Sequence, residues 1–239
     1  MKNRIEIKAE AKSIVARAKV SPLLISAIVI LINWILNNIT PANTYFDIFW
    51  DEMDLAMAQG EQYVSSQLPV PTLPETFFMI LAPLIITVLS AGYYSYCMGI
   101  RHGREMTASS LLDGLGIAGK VIWCDILISI RVFLWSCLLV VPGIIAIYRY
   151  RFAVYNLISN PSLSASQAIS LSSRQTHGMK WDLFVLDLSF LGWNILAALT
   201  LGILNIWVLP YTTLSDLGYY ENAQMRMRED ASPSADPFA

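Results

Sequence analysis

Residues 120–158 read KVIWCDILISIRVFLWSCLLVVPGIIAIYRYRFAVYNLI. Two apolar runs, 120–141 and 143–158, meet at Pro142-Gly143. The first has the length of roughly 20 residues that crosses a hydrocarbon core, and the second is somewhat shorter. Pro-Gly is turn chemistry. The stretch therefore predicts two membrane-spanning helices joined by a tight turn. It also carries Asp125, Arg131, Arg149 and Arg151, charges that a lipid-facing helix would shun.

Outward from this hairpin, four more apolar runs lie at 22–39, 76–98, 183–201 and 203–217, with Gly202 marking the turn between the last two. Of 239 residues 55% are hydrophobic and only 14% charged, with mean hydropathy +0.51. Soluble domains carry about 25% charged residues. The expected fold is all-α: an integral membrane bundle of six transmembrane helices with amphipathic interfacial helices. Residues 1–20 form an amphipathic N-terminal helix, 21–222 the membrane domain with an outer loop at 40–75, and 223–239 a disordered tail. The run at 22–39 reads as an uncleaved anchor, since no small-residue cleavage site follows it.

The basic residues set the orientation. Lys2, Arg4, Lys8, Lys12, Arg17 and Lys19 precede the first span. The loop 40–75 has no Lys or Arg and carries Asp47, Asp51, Glu52, Asp54, Glu61 and Glu75. Arg101, Arg104 and Lys120 fall in the next loop, Arg174 and Lys180 before span five, and Arg226 and Arg228 in the tail. All alternate as they should for both termini in the cytoplasm, so the expected topology is a multi-pass membrane protein with both ends inside.

Three further helices are expected. In residues 4–19, Ile7, Ala11, Ile14, Val15 and Ala18 recur on one face, with lysines and arginines off it. This suits either a helix on the anionic leaflet or a plain topogenic flank. In the outer loop Phe46, Phe49, Trp50, Met53 and Met57 make a stripe, either a lid or a shield, before an extended return through Pro69, Pro71 and Pro74. Between spans four and five, Asn160-Pro161 ends one helix, Ser164 and Gln167 form a capping box, and Gly178 sits just past the next helix end.

A charge at the bilayer centre costs about 2.5–3.5 kcal/mol on insertion scales, so Arg131, Arg149 and Arg151 need partners or water. One reading makes them an anion site for a phosphate or carboxylate, with Tyr148 nearby and Asp125 and Asp187 as counter-ions or proton acceptors. The other has those acids neutralise them. Arg149 and Arg151 point to nearly opposite sides of a helix, which hinders a single shared site. Asn33, Asn194 and Asn205 are expected to pack by interhelical hydrogen bonds. Ala91, Ser95, Gly99 and Gly103 make a small-residue stripe for close packing within the chain or against a second copy, and Pro210 a kink.

Several classes are not signalled. The net charge of −2 offers no basic field for nucleic acid. Cys97, Cys124 and Cys137 make no CxxC pair, and His102 and His177 are isolated, so no metal or cofactor is expected. No GxSxG, HExxH or phosphate-binding loop occurs.

From residue 134 onward the chain resembles a known family. The shared features are Pro142-Gly143, Asn160-Pro161, a serine-containing helix ending near Gly178, and the run from Lys180 to Trp193. Pro210-Tyr211 and Tyr219-Tyr220-Glu221 complete them. The chain is similar here to the bacterial membrane proteins catalogued as domain of unknown function 975, with Thr176-His177 where those often carry Met before the glycine. More distantly, the hairpin resembles the membrane domain of some glycerophosphodiester phosphodiesterases. The resemblance implies fold and location, with lipid or polyol phosphate surroundings by analogy. The expected function is a non-enzymatic membrane protein that binds or moves an amphipathic or lipid-like anion, in contact with membrane lipids. A scaffold or accessory subunit for a membrane protein partner, or for a second copy in a homodimer, is the alternative. A lipid head-group hydrolase using Asp125 or Asp187 is a third.

Overall fold

The computed structural model describes residues 2–18, 21–59 and 70–231. All regular elements among them are helical: α1 (Arg4–Arg17), α2 (Pro22–Ile39), α3 (Ala42–Gln59), α4 (Leu73–Arg101), a 3-10 helix (Ala108–Ile117), α5 (Ala118–Leu138), α6 (Val140–Tyr150), α7 (Ala153–Ser159), α8 (Ala165–Gln175), α9 (Lys180–Leu199) and α10 (Asn205–Ala231). Four segments are long and apolar enough to cross a bilayer, Pro22–Ile39, Leu73–Arg101, Ala108–Leu138 and Lys180–Leu199, with hydropathy 1.6 to 1.9. They mark the chain as a membrane protein. Its surface agrees: Trp123, Ile130, Phe133 and Leu134 of α5 are all exposed, as suits a face turned to lipid.

The chain divides into two units, Leu31–Ile86 and the rest. In the smaller unit α3 forms where the aromatic stripe predicts a helix. Phe46 and Phe49 both pack edge-on to Trp50, at 5.8 and 5.7 Å, and all three stay exposed. Tyr45 donates to the Glu75 carboxylate at 3.0 Å, and Thr72 donates to the same group, holding the start of α4. Pro71 and Pro74 flank that start; Pro69 lies outside the described residues.

The larger unit holds the hairpin. Its turn differs from expectation. The chain reverses at Leu139, whose φ of −165° and ψ of 150° are extended, and Pro142-Gly143 sits in the first turn of α6. A proline there forfeits no helical hydrogen bond. Gly143 is needed because a Cβ would come within 2.2 Å of Ser136 Oγ on α5.

The expected fourth span is broken into α6 and α7 at Arg151-Phe152. It is also less interior than expected. Gly143, Ala146 and Tyr150 are buried, but Ile144, Ile145 and Ile147 are exposed. Helix α8 heals the break. Ser172 Oγ accepts from the Phe152 N–H at 3.1 Å and donates to the Arg149 carbonyl at 3.0 Å. Thr176 donates to the same carbonyl. Interrupted backbone in a membrane protein survives only when buried and paired in this way. The local chemistry of α8 is as read: the Ser164–Gln167 capping box is present, and Gly178 takes a φ of +77°. Gly202, at φ +86°, turns the chain between α9 and α10.

Other expectations give way. Helix α1 does not present its apolar face to lipid. Ile7 and Ala11 are wholly buried, and Ile7 sits against Gly218 of α10, where a Cβ would approach to 2.6 Å. The tail expected to be disordered from 223 continues α10 to Ala231; residues beyond lie outside the described set. Within the small-residue stripe, Ala91 is buried, Gly99 faces the Met106 side chain, and Gly103 lies beyond the helix at φ +73° with open space around it. The close backbone approach occurs one residue off the stripe. The Leu111 carbonyl would meet a Cβ on Gly92 at 1.9 Å, and Gly114 faces the Val88 carbonyl.

Candidate functional site

Helices α6, α9 and α10 bring three charges together. Arg151 Nη1 and Nη2 donate to the two oxygens of Asp187 at 2.6 and 2.7 Å. Nη2 also donates to Asp216 at 2.8 and 2.9 Å, and Nε to the same carboxylate at 3.3 Å. The guanidinium is thus used on both edges. Its position at the α6–α7 break lets the side chain leave the hairpin toward α9 and α10. The Tyr148 ring lies 5.7 Å from the Arg151 guanidinium carbon. Arg151 and Asp216 are 21% and 16% exposed at their side chains, and Asp187 is 40% exposed.

Beside this triad lies a cavity of about 290 Å³, walled by Tyr94, Tyr155, Phe190, Asn194, Thr212 and Thr213. Tyr155 is 4% exposed. Its hydroxyl and the Asn194 carboxamide make no hydrogen bond among the described residues. Asn194 was expected to pack against another helix; instead it is exposed at the cavity wall.

Arg131 and Arg149 occupy a different place. Each approaches the Tyr150 ring, at 5.8 and 5.9 Å. Arg149 Nε donates to Ser173 at 2.6 Å. Neither has a carboxylate partner among the described residues. Arg149 is exposed and Arg131 partly so. Asp125 joins neither group and instead accepts from Thr87 at 3.1 Å. The expected set therefore separates into an Arg151–Asp187–Tyr148 group, an Arg131–Arg149 pair and an isolated Asp125. No group of three metal-ligating side chains occurs among the described residues.

At the end of the bundle a third network ties the termini together. Arg101 of α4, 2% exposed, pairs with Glu10 of α1 and Glu221 of α10, both at 2.8 Å, the latter off the direction of its N–H. Asn156 and Gln175 exchange two amide hydrogen bonds at 2.8 and 3.0 Å, and Tyr220 donates to the same Asn156. The Lys2 backbone N–H donates to Asn222, so the first and last described segments meet.

Residues 137–227 match the model of a family described as "Protein of unknown function (DUF975)". Comparison with curated proteins and with solved structures finds no match. The match supports the resemblance over the last two fifths of the chain. Within it lie Arg149, Arg151, Asp187 and Asp216, the α8 residues that heal the break, and Tyr220 and Glu221. Arg131, Asp125, Tyr94 and Arg101 lie upstream of it.

Asp216 was missed by sequence reasoning. The signal was present: it is an acid at the end of an apolar run, of the same kind as Asp125 and Asp187. Its role depends on which helix faces Arg151, and that is a tertiary fact.

Proposed function

We propose that this protein is a non-enzymatic, six-span protein of a bacterial cytoplasmic membrane that binds or moves an amphipathic anion. Arg131 and Arg149 would hold the acidic head group. The observation that carries this is the contrast between the arginines. Arg151 has two carboxylates on its fork, whereas Arg131 and Arg149 have none among the described residues. A guanidinium part-way along a spanning helix needs an anion or water to offset the cost of insertion. Its planar fork suits phosphate and carboxylate. Exposed Ile130, Phe133, Leu134, Ile144 and Ile147 on the same two helices supply apolar surface for acyl chains.

The family matched at 137–227 has no established function and leaves this reading open. Two further spans, 143–158 across the broken helix and 203–217 leading into and along α10, would complete the six. The Lys2–Asn222 contact supports both ends lying on one side.

The test is electron spin resonance of spin-labelled phosphatidylglycerol with the protein in bilayers. A motionally restricted component that shrinks in the Arg131→Ala/Arg149→Ala variant is expected; an identical component in wild type and variant removes the proposal. A scaffold role is the second reading, favoured by the exposed Phe46, Phe49 and Trp50 face of α3. In-membrane crosslinking from Trp50 that recovers the protein alone would count against it.

A further inference from the structure

The cavity beside Arg151 has a chemistry opposite to that of the arginine pair. Two carboxylates share one guanidinium, so the triad carries a formal excess of one negative charge. Four of the five guanidinium N–H groups point at those carboxylates or lie within reach of them. Little donor capacity is left to attract an anion. Lys8, which also reaches α9, is engaged elsewhere: it donates to Ser189 and lies 4.2 Å from the Phe190 ring centroid, and it does not line the cavity. The excess lies on Asp187, the more exposed acid at the cavity, where it favours a cation over an anion.

The walls say which kind. Asp187 is the more exposed of the two acids. The aromatic rings of Tyr94, Tyr155 and Phe190 stand around the cavity with it. Carboxylate together with aromatic faces is how proteins hold organic ammonium groups. The Tyr155 hydroxyl, on a residue 4% exposed at the cavity wall, makes no hydrogen bond among the described residues. Buried polar groups are normally paired, so this one points to a ligand that pairs it. The Asn194 carboxamide, on an exposed residue, adds a further polar group at the same wall. The volume of about 290 Å³ suits a small head group and excludes a bulky solute.

We infer that the cavity of Arg151, Asp187, Asp216, Tyr155 and Asn194 binds a small organic ammonium group, with Asp187 as its counter-ion. That group is either a free amino-alcohol or the head of an amine-bearing lipid. The site is separate from the Arg131–Arg149 pair and is tested separately.

The experiment uses the full chain in nanodiscs of phosphatidylglycerol, which carries no ammonium. Radiolabelled ethanolamine is titrated by equilibrium dialysis. In parallel, phosphatidylethanolamine is added to the disc and its retention followed by native mass spectrometry. Saturable binding of ethanolamine identifies a soluble amine; retention of the lipid alone identifies a head group. In either case Asp187→Asn should weaken binding by about tenfold or more, the size of a lost charge-assisted hydrogen bond. Tyr155→Phe, which removes a hydroxyl that bonds nothing among the described residues, should weaken it several-fold with helicity unchanged. The inference is overturned if neither probe binds, or if Asp187→Asn and Tyr155→Phe both bind as wild type does. The Arg131→Ala/Arg149→Ala variant should bind the amine normally, so the two sites stand or fall independently.

Discussion

Arg151 grips Asp187 through two parallel hydrogen bonds of 2.6 and 2.7 Å, and the same guanidinium holds Asp216 at 2.8 Å. Three helices are joined at one side chain placed at a helix break. Removing one member of a buried ion pair is far costlier than the pair's net worth, because the partner is left uncompensated. Arg151→Ala should therefore destabilise the protein by about 3–5 kcal/mol. Arg151→Lys should recover only part of this, since an ammonium cannot bond two carboxylates in a plane. Denaturant unfolding in detergent, followed by helicity, measures both. Equal stability of Arg151→Ala and wild type would show that the triad does not hold these helices together.

Glycine positions separate steric from conformational effects. Gly92→Ala should cost about 1–3 kcal/mol, because its Cβ would lie 1.9 Å from the Leu111 carbonyl and backbone must shift. Gly103→Ala meets open space and should cost about 1–2 kcal/mol from its φ of +73° alone. Gly116→Ala meets nothing and has no positive φ, so it should be near neutral. Thermal unfolding of the three variants gives the order directly.

Acid should release α1. Burial pushes the Glu10 carboxyl up, but Lys2 and Arg101 pull it down further, leaving it below the ordinary carboxylate value. A depressed pKa contributes stability that is present above the unfolded value of about 4.3 and lost as pH falls through the folded one. Amide protection in residues 4–17, taken as exchange relative to the intrinsic rate at each pH, should hold from neutral pH to about 5 and fall below the ordinary carboxylate range. Glu10→Gln should remove most of this dependence. Protection that does not change with pH in the wild type would contradict the pairing.

Orientation can be read with cysteine labels. Cys97 and Cys124 are buried and Cys137 is exposed, so Cys137→Ser gives a quiet background. In that background Asp51→Cys should react with an impermeant maleimide in intact cells. Arg228→Cys should react only after permeabilisation. The reverse pattern would invert the proposed topology.

What the sequence revealed was local. The Ser164–Gln167 box, the glycines 178 and 202 and four of the six apolar runs each depend on near neighbours in the chain, and each stands where expected. What it hid was tertiary. The amphipathic face of α1 fits lipid or protein equally well, and the presence of Gly218 to receive Ile7 decides for protein. A four-residue stripe pointed to Gly99, but the approaching backbone meets Gly92, because the 3-10 helix packs against a face the stripe does not mark. The arginines looked alike in sequence; only the positions of Asp187 and Asp216 distinguish the neutralised one from the other two.

The most direct test of anion binding at Arg131 and Arg149 is native mass spectrometry of the gently released protein beside its Arg131→Ala, Arg149→Ala and double variants. The account predicts a co-purifying anionic lipid or metabolite on the wild type, reduced in each single variant and absent from the double. A bare wild-type spectrum, or an anion that persists in the double variant, would contradict it and make both arginines structural.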